Sequence, residues 1–219
     1  MKQTISIFGN STSYYSMSPG MSYVDLLRGN GGYEVRSSCM NGNTIWHANH
    51  MLPNILDRRG GDKWVILHVG ASEAATMKIA NFLLLASYWL NFGVVDHYFM
   101  TFIAPKIYQA SIDLQTGVDT YHSLLTNVEF KTIYDKVLKS LELFSVLALG
   151  MSRPNSGSDI RIEQARDFDS SIKDSCIKYP WARFIDVWGL CEDEIIDSNH
   201  LTDSGHDILY REIMKRIQS

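Results

Sequence analysis

Cysteine is scarce and poorly placed for cross-linking: Cys39, Cys176 and Cys191 are the only three in 219 residues, odd in number, far apart and without a CxxC pair. This argues against a disulfide framework and fits a reducing compartment, so a cytoplasmic setting is expected. A basic block is also missing. Twenty Lys plus Arg stand against 24 Asp plus Glu, a net charge of −4, which leaves nothing to neutralise a run of phosphates and excludes nucleic acid as an expected partner. The opening MKQTISIFGNS has too short an apolar stretch for a secretory signal. The longest apolar region, Ile79 to Val95, is interrupted by Asn81, Ser87 and Asn91 and followed by Asp96 and His97. A spanning helix needs about 20 predominantly apolar residues, so a buried core helix is expected there rather than a membrane span. No internal repeat, Ser/Pro-rich linker, G-x-G-x-x-G or P-loop string occurs, which leaves a nucleotide-binding domain without support.

What remains is globular. Apolar residues make up 45% and charged residues 20% of the chain, enough to form a packed core, and the length favours one domain over residues 1–219. Thr4 to Phe8 alternates with β-branched residues and stops at Gly9, as a strand entering a sharp turn does. Further strands are expected at Tyr33 to Ser38, Lys63 to Val69, Phe144 to Leu149 and Arg183 to Val187, the second of these a continuous apolar run closed by Gly70. Helices are expected at Met21 to Arg28, from Thr44 to near Arg58–Gly61, from Ser72 to about Asn91, over Arg161 to Ile177 and from Asp203 to Ile217. Val94 to Ile103 reads as strand or helix alike. Gly117 to Leu143 carries apolar residues at three-to-four spacing, the signature of a long amphipathic helix, and places a helical insertion at about 105–143. Strands alternating with helices give an α/β fold: three layers, α/β/α, around a five-stranded parallel sheet. Ligands in such sheets sit at the carboxyl ends of the strands.

Serine chemistry needs an exposed hydroxyl on a tight turn, an imidazole to take its proton and a carboxylate to orient the imidazole. Gly9-Asn10-Ser11 supplies the first, directly after the first strand, and Asp197-Ser198-Asn199-His200 supplies the others. Ser13 is the rival nucleophile and Asp186 the rival acid. His68, inside an apolar strand, reads as a hydrogen-bonded core residue. His47 and His50 share a helix face, but no carboxylate or cysteine cluster completes a metal site with them. Asn10-Ser11-Thr12 has the form of a glycosylation acceptor, an idle one without an export signal.

Taken together, these segments resemble the SGNH hydrolases, also called the GDSL esterase family, over nearly the whole chain. Ile5 to Ser11 (ISIFGNS) is similar to the first block, with Asn10 where aspartate is usual. Gly42 in SCMNGNT is similar to the second-block glycine, and ILHVGASEA to the third block, with Ser72 in place of asparagine and Glu73 in place of aspartate. DSNHLTDSGHDIL, with Gly205 and His206, is similar to the last block. The resemblance implies a flavodoxin-like SGNH fold, Ser11 as nucleophile, His200 as general base and then acid, and Asp197 as the orienting carboxylate. It also implies an oxyanion hole from the backbone N–H groups of Ser11 and Gly42, with Ser72 at the position of a side-chain donor. No cofactor and no metal are implied. The expected activity is hydrolysis or transfer of a small acyl ester, with carbohydrate esters among the expected substrates, through an acyl-enzyme. The departures at Asn10 and Ser72 motivate the alternative of a catalytically weak or inactive member that holds a glycan or acyl ligand.

Overall fold

The structure, a computed structural model, describes residues 2–40, 43–56, 62–74, 76–78, 103–115, 121–123, 125–154, 159–197 and 199–219. Strands β1 (Gln3–Gly9), β2 (Tyr33–Cys39) and β3 (Asp62–His68) lie beside one another. Between them run α1 (Ser11–Tyr14), α2 (Tyr23–Gly29) and α3 (Ile45–Ile55). After β3 come α4 (Ala71–Ala74), β4 (Thr76–Lys78), α5 (Ala104–Gln115), β5 (Tyr121–Ser123) and α6 (Asn127–Ser140). The chain closes with β6 (Ser145–Leu149), α7 (Asp159–Lys178), β7 (Ala182–Ile185), α8 (Val187–Leu190) and α9 (Asp203–Gln218).

The five-stranded sheet has the order β2-β1-β3-β6-β7, and each of its four pairings is parallel. Its strands begin at residues 3, 33, 62, 145 and 182, within a residue of the positions read from the sequence. Side chains alternate across it with period two. Ile5, Ile7, Ile66, Leu147 and Leu149 point to the face covered by Leu27 of α2 and by Leu209 and Ile213 of α9. Phe8, Val65, Leu67, Val146 and Ala148 point to the other, against Trp46 of α3, Phe130 and Ile133 of α6 and Phe168 of α7. These are the three layers expected. The order reverses between β1 and β3, where the chain leaves β1 to one side and β3 to the other, and Gly9 pairs there with both Cys39 and His68. Such a reversal opens a crevice at the strand ends.

Three expectations fail. The helix read from Ser72 to Asn91 ends at Ala74, and Thr76–Lys78 becomes β4, paired antiparallel with β5. The long helix read over Gly117 to Leu143 contains that β5 partner and starts only at Asn127, where Thr126 and Glu129 form a capping box. Apolar spacing alone does not separate a short strand from a helix, and the cap decides the start. Helix α3 stops at Ile55, short of Arg58–Gly61, where Leu56 turns extended while its N–H still donates to the Leu52 carbonyl. Residues 94–102 and the apolar region Ile79 to Val95 lie outside the described residues. Among the described residues no helix is long and apolar enough to cross a membrane.

Candidate active site

Ser11 stands where β1 runs out. Asn10 leaves the strand with φ −99° and ψ −163°, caps α1, and its Oδ1 accepts from the Thr12 N–H at 3.1 Å and from the Thr12 hydroxyl. An amide oxygen therefore meets the capping need that aspartate usually meets. Ser11 is the first helical residue, where the N–H has no acceptor within the helix. Gly9 is required: a Cβ there would sit 2.0 Å from Ser13 Oγ. Ser13 is fully buried, with its hydroxyl 3.1 Å from His68 Nδ1, while Ser11 stays partly exposed.

His68 supports the turn from below. Its Nε2 lies 3.3 Å from Thr12 Oγ1, and its Nδ1 lies 3.3 Å from the Tyr23 hydroxyl. The Thr12 hydroxyl proton is committed to Asn10, so Nε2 donates to Thr12 Oγ1 and Nδ1 accepts from Ser13 or Tyr23. A neutral ring satisfies every bond. Burial, aided by His206, pushes the imidazole down to about 3.

The other half of the site is a tight turn before α9. Ile196 N–H donates to the His200 carbonyl at 2.8 Å, Thr202 N–H to the Glu194 carbonyl at 2.9 Å, and Ile195 bridges Leu201. Within this turn Asp197 Oδ1 accepts the N–H groups of Asn199 at 3.0 Å and His200 at 3.1 Å, and Oδ2 lies 2.8 Å from His200 Nδ1. Burial raises the Asp197 pKa, but the His200 ring and the two N–H groups outweigh it and hold the carboxyl below its usual range. With Nδ1–H donated to Asp197, His200 Nε2 is an acceptor, and Ser11 Oγ lies 3.0 Å from it.

Of the residues singled out in the sequence, the structure brings Ser11, His200 and Asp197 into one hydrogen-bonded chain. Asp186 lies elsewhere: β7 ends at Ile185, and Asp186 caps α8 by accepting the Gly189 N–H at 2.8 Å. Gly42 falls outside the described residues, next to Asn43, whose buried amide donates to the Gly9 carbonyl at 2.9 Å and to that of Ser38 at 3.2 Å. Ser72 is the second residue of α4, just beyond Gly70, whose φ of +118° turns the chain at the end of β3. His47 serves the capping box of α3, with Nδ1 2.9 Å from Thr44 Oγ1, and burial with the nearby His50 lowers it to about 4. Among the described residues no group of three or more His, Cys, Asp or Glu could hold a metal ion.

Sequence reasoning missed the residues that hold the two halves together. Buried Ser152 donates to the Asn199 carbonyl at 2.6 Å. His206 Nε2 donates to the Tyr15 carbonyl at 2.7 Å, and Asp203 Oδ1 accepts the N–H groups of Met17 at 2.9 Å and Ser18 at 3.2 Å. The Tyr15 ring packs on His200, centroids 4.7 Å apart. Only His206 left a sequence signal, six positions after His200 in the last block.

A five-stranded parallel sheet of this order between two helical layers is a fold the chain shares with solved esterases and with a solved lipolytic protein of the G-D-S-L family. No family model matches the sequence, and no curated protein matches it either. Among solved structures, an acetylxylan esterase from Geobacillus stearothermophilus superposes with a TM-score of 0.60 at 13% identity, over 98% of this chain and 94% of that one. A member of the lipolytic G-D-S-L family from Veillonella parvula gives 0.63 at 10% identity over 97% of each chain. An alpha/beta hydrolase from the metagenome of Lake Arreo gives 0.60 at 13%, over 97% of this chain and 94% of that one. Catalytic mutants of the Geobacillus esterase replace a serine, an aspartate and a histidine, the last two three positions apart.

Proposed function

We propose that the protein is a serine-dependent ester hydrolase acting on a small acyl ester, with Ser11 as nucleophile, His200 as base and then acid, and Asp197 as the orienting carboxylate. The observation that carries this reading is the unbroken chain Ser11 Oγ to His200 Nε2 at 3.0 Å and His200 Nδ1 to Asp197 Oδ2 at 2.8 Å. In acylation Ser11 Oγ bonds to the acyl carbon and its proton passes to Nε2. The tetrahedral intermediate expels the alcohol, which takes that proton, and water then repeats the sequence to release the acid. Asp197, held ionised, fixes the ring tautomer and stabilises the imidazolium. The Ser11 N–H, the Gly42 N–H and a donor from Ser72 are assigned to the oxyanion.

The same acyl-enzyme serves transfer to a sugar hydroxyl. Hydrolysis is preferred because solved proteins of this fold include esterases, and an acetylated carbohydrate is the favoured substrate because one of them is an acetylxylan esterase. A reducing, cytoplasmic setting belongs to the same reading, supported by three free thiols. The alternative of an inert binding protein rests on Ser72 alone, since Asn10 fulfils its capping role. A fluorophosphonate probe tests the choice: wild-type protein is expected to be labelled on Ser11 and Ser11→Ala to be unlabelled. Unlabelled wild type, or labelling that persists in Ser11→Ala, would overturn the proposal.

A further inference from the structure

The segment after the nucleophile exposes more apolar surface than its position needs. Tyr14, Tyr15 and Met17 are 36%, 50% and 67% exposed in a stretch whose backbone is tied down at both ends. Tyr15 N–H donates to the Ser11 carbonyl at 2.9 Å, its own carbonyl accepts from His206 Nε2 at 2.7 Å, and Asp203 holds Met17 and Ser18. The Tyr15 ring thus sits on a held backbone, packed against His200 and half open to solvent. Three exposed apolar side chains close together in sequence, one of them against His200, offer surface that a ligand can cover.

Resting on the esterase reading, we infer that Tyr15 is the wall of a leaving-group subsite that selects alcohols bearing a flat, apolar ring face, whether a sugar or an aryl ring. The argument is positional. As the acyl C–O bond breaks, the leaving oxygen takes the proton that Ser11 gave to His200 Nε2, so the alcohol must lie within hydrogen-bond reach of that nitrogen. The carbon skeleton attached to that oxygen then extends over the neighbours of the imidazole. Among the described residues Tyr15 packs its ring against that imidazole, with centroids 4.7 Å apart. The acyl group lies on the far side of the reacting carbon from the leaving oxygen, so this contact reads the alcohol and not the acid.

The test is the ratio of kcat/KM between acetates that share an acyl group and differ in alcohol: ethyl acetate, benzyl acetate and an O-acetylated methyl xyloside. In Tyr15→Ala both the benzyl-to-ethyl and the xyloside-to-ethyl ratios are expected to fall about tenfold, the scale of one lost ring contact, whereas Tyr15→Phe, which keeps the face, retains them. Fluorophosphonate labelling of Ser11 is measured in parallel. If labelling persists and the ratios stay unchanged because all three acetates slow equally, Tyr15 only steadies His200 and the subsite is overturned. If the wild type is never labelled, the esterase reading falls and the subsite with it.

Discussion

Ser11 and Ser13 stand two positions apart on one helical turn and meet opposite surroundings, which makes them a clean pair to test. Replacing Ser13 with alanine removes a fully buried hydroxyl from His68 and is expected to cost about 1–2 kcal/mol in denaturant unfolding, while fluorophosphonate labelling at Ser11 persists. Labelling lost together with Ser13 would move the nucleophile. The two aspartates separate in the same way. Asp197→Asn keeps an oxygen for the Asn199 and His200 N–H groups but gives up the charge facing Nδ1. A fall of about 10⁴-fold in kcat with little change in melting temperature is expected. Asp186→Ala removes only a helix cap and should cost about 1 kcal/mol of stability with kcat intact. Steady-state kinetics on a short-chain acetate, beside thermal melts, distinguishes these outcomes.

Helices and strands differed in how openly the sequence announced them. Four of the five sheet strands were legible because each is a short apolar or β-branched run, three of them stopped by Gly9, Gly70 and Gly150, while β2 carries only Tyr33 and Val35 in alternation with charged residues. Strands β4 and β5 were not, since three-residue segments such as Thr76–Lys78 are fixed by a partner more than forty positions away, a relation that periodicity does not carry. The start of α6 was written in Thr126-x-x-Glu129 and overlooked in favour of the apolar spacing. Its capping box, with Glu129 also paired to Lys106 of α5 at 2.5 Å, makes a direct prediction. Thr126→Ala is expected to lower stability by about 1 kcal/mol, visible as a shift of about 2–4 °C in melting temperature. The site divides along the same line. Ser11, Asp197 and His200 were readable because each half sits in one short motif, whereas Tyr15, Ser152, Asp203 and His206 act through contacts across the whole chain.

At the scale of the whole molecule, the buried histidines His68 and His47 contribute to the response to acid. His68 is held down to about 3 in the folded protein against about 6.5 when unfolded. Its contribution is therefore complete above the unfolded value and is lost as pH falls toward the folded one, because in that window the unfolded chain binds a proton that the folded chain does not. His47, lowered to about 4, acts in the same direction, while Asp169, raised to about 6 chiefly by burial, opposes one of the two. Stability is expected to decline from pH 6.5 to 4, and His68→Asn should make that decline shallower. Unfolding curves at matched pH that run parallel for the two proteins would refute this. The bonds between residues 11–18 and residues 200–206 span 185 to 191 positions, and that separation orders events in time. Loop closure over such a distance is slow compared with local structure, so during refolding His200 reaches Ser11 only after the final helix has docked. On the proposed assignment of Ser11 as nucleophile, covalent tagging should accordingly lag behind the growth of secondary structure, and until that moment an unfinished chain carries an ordinary alcohol.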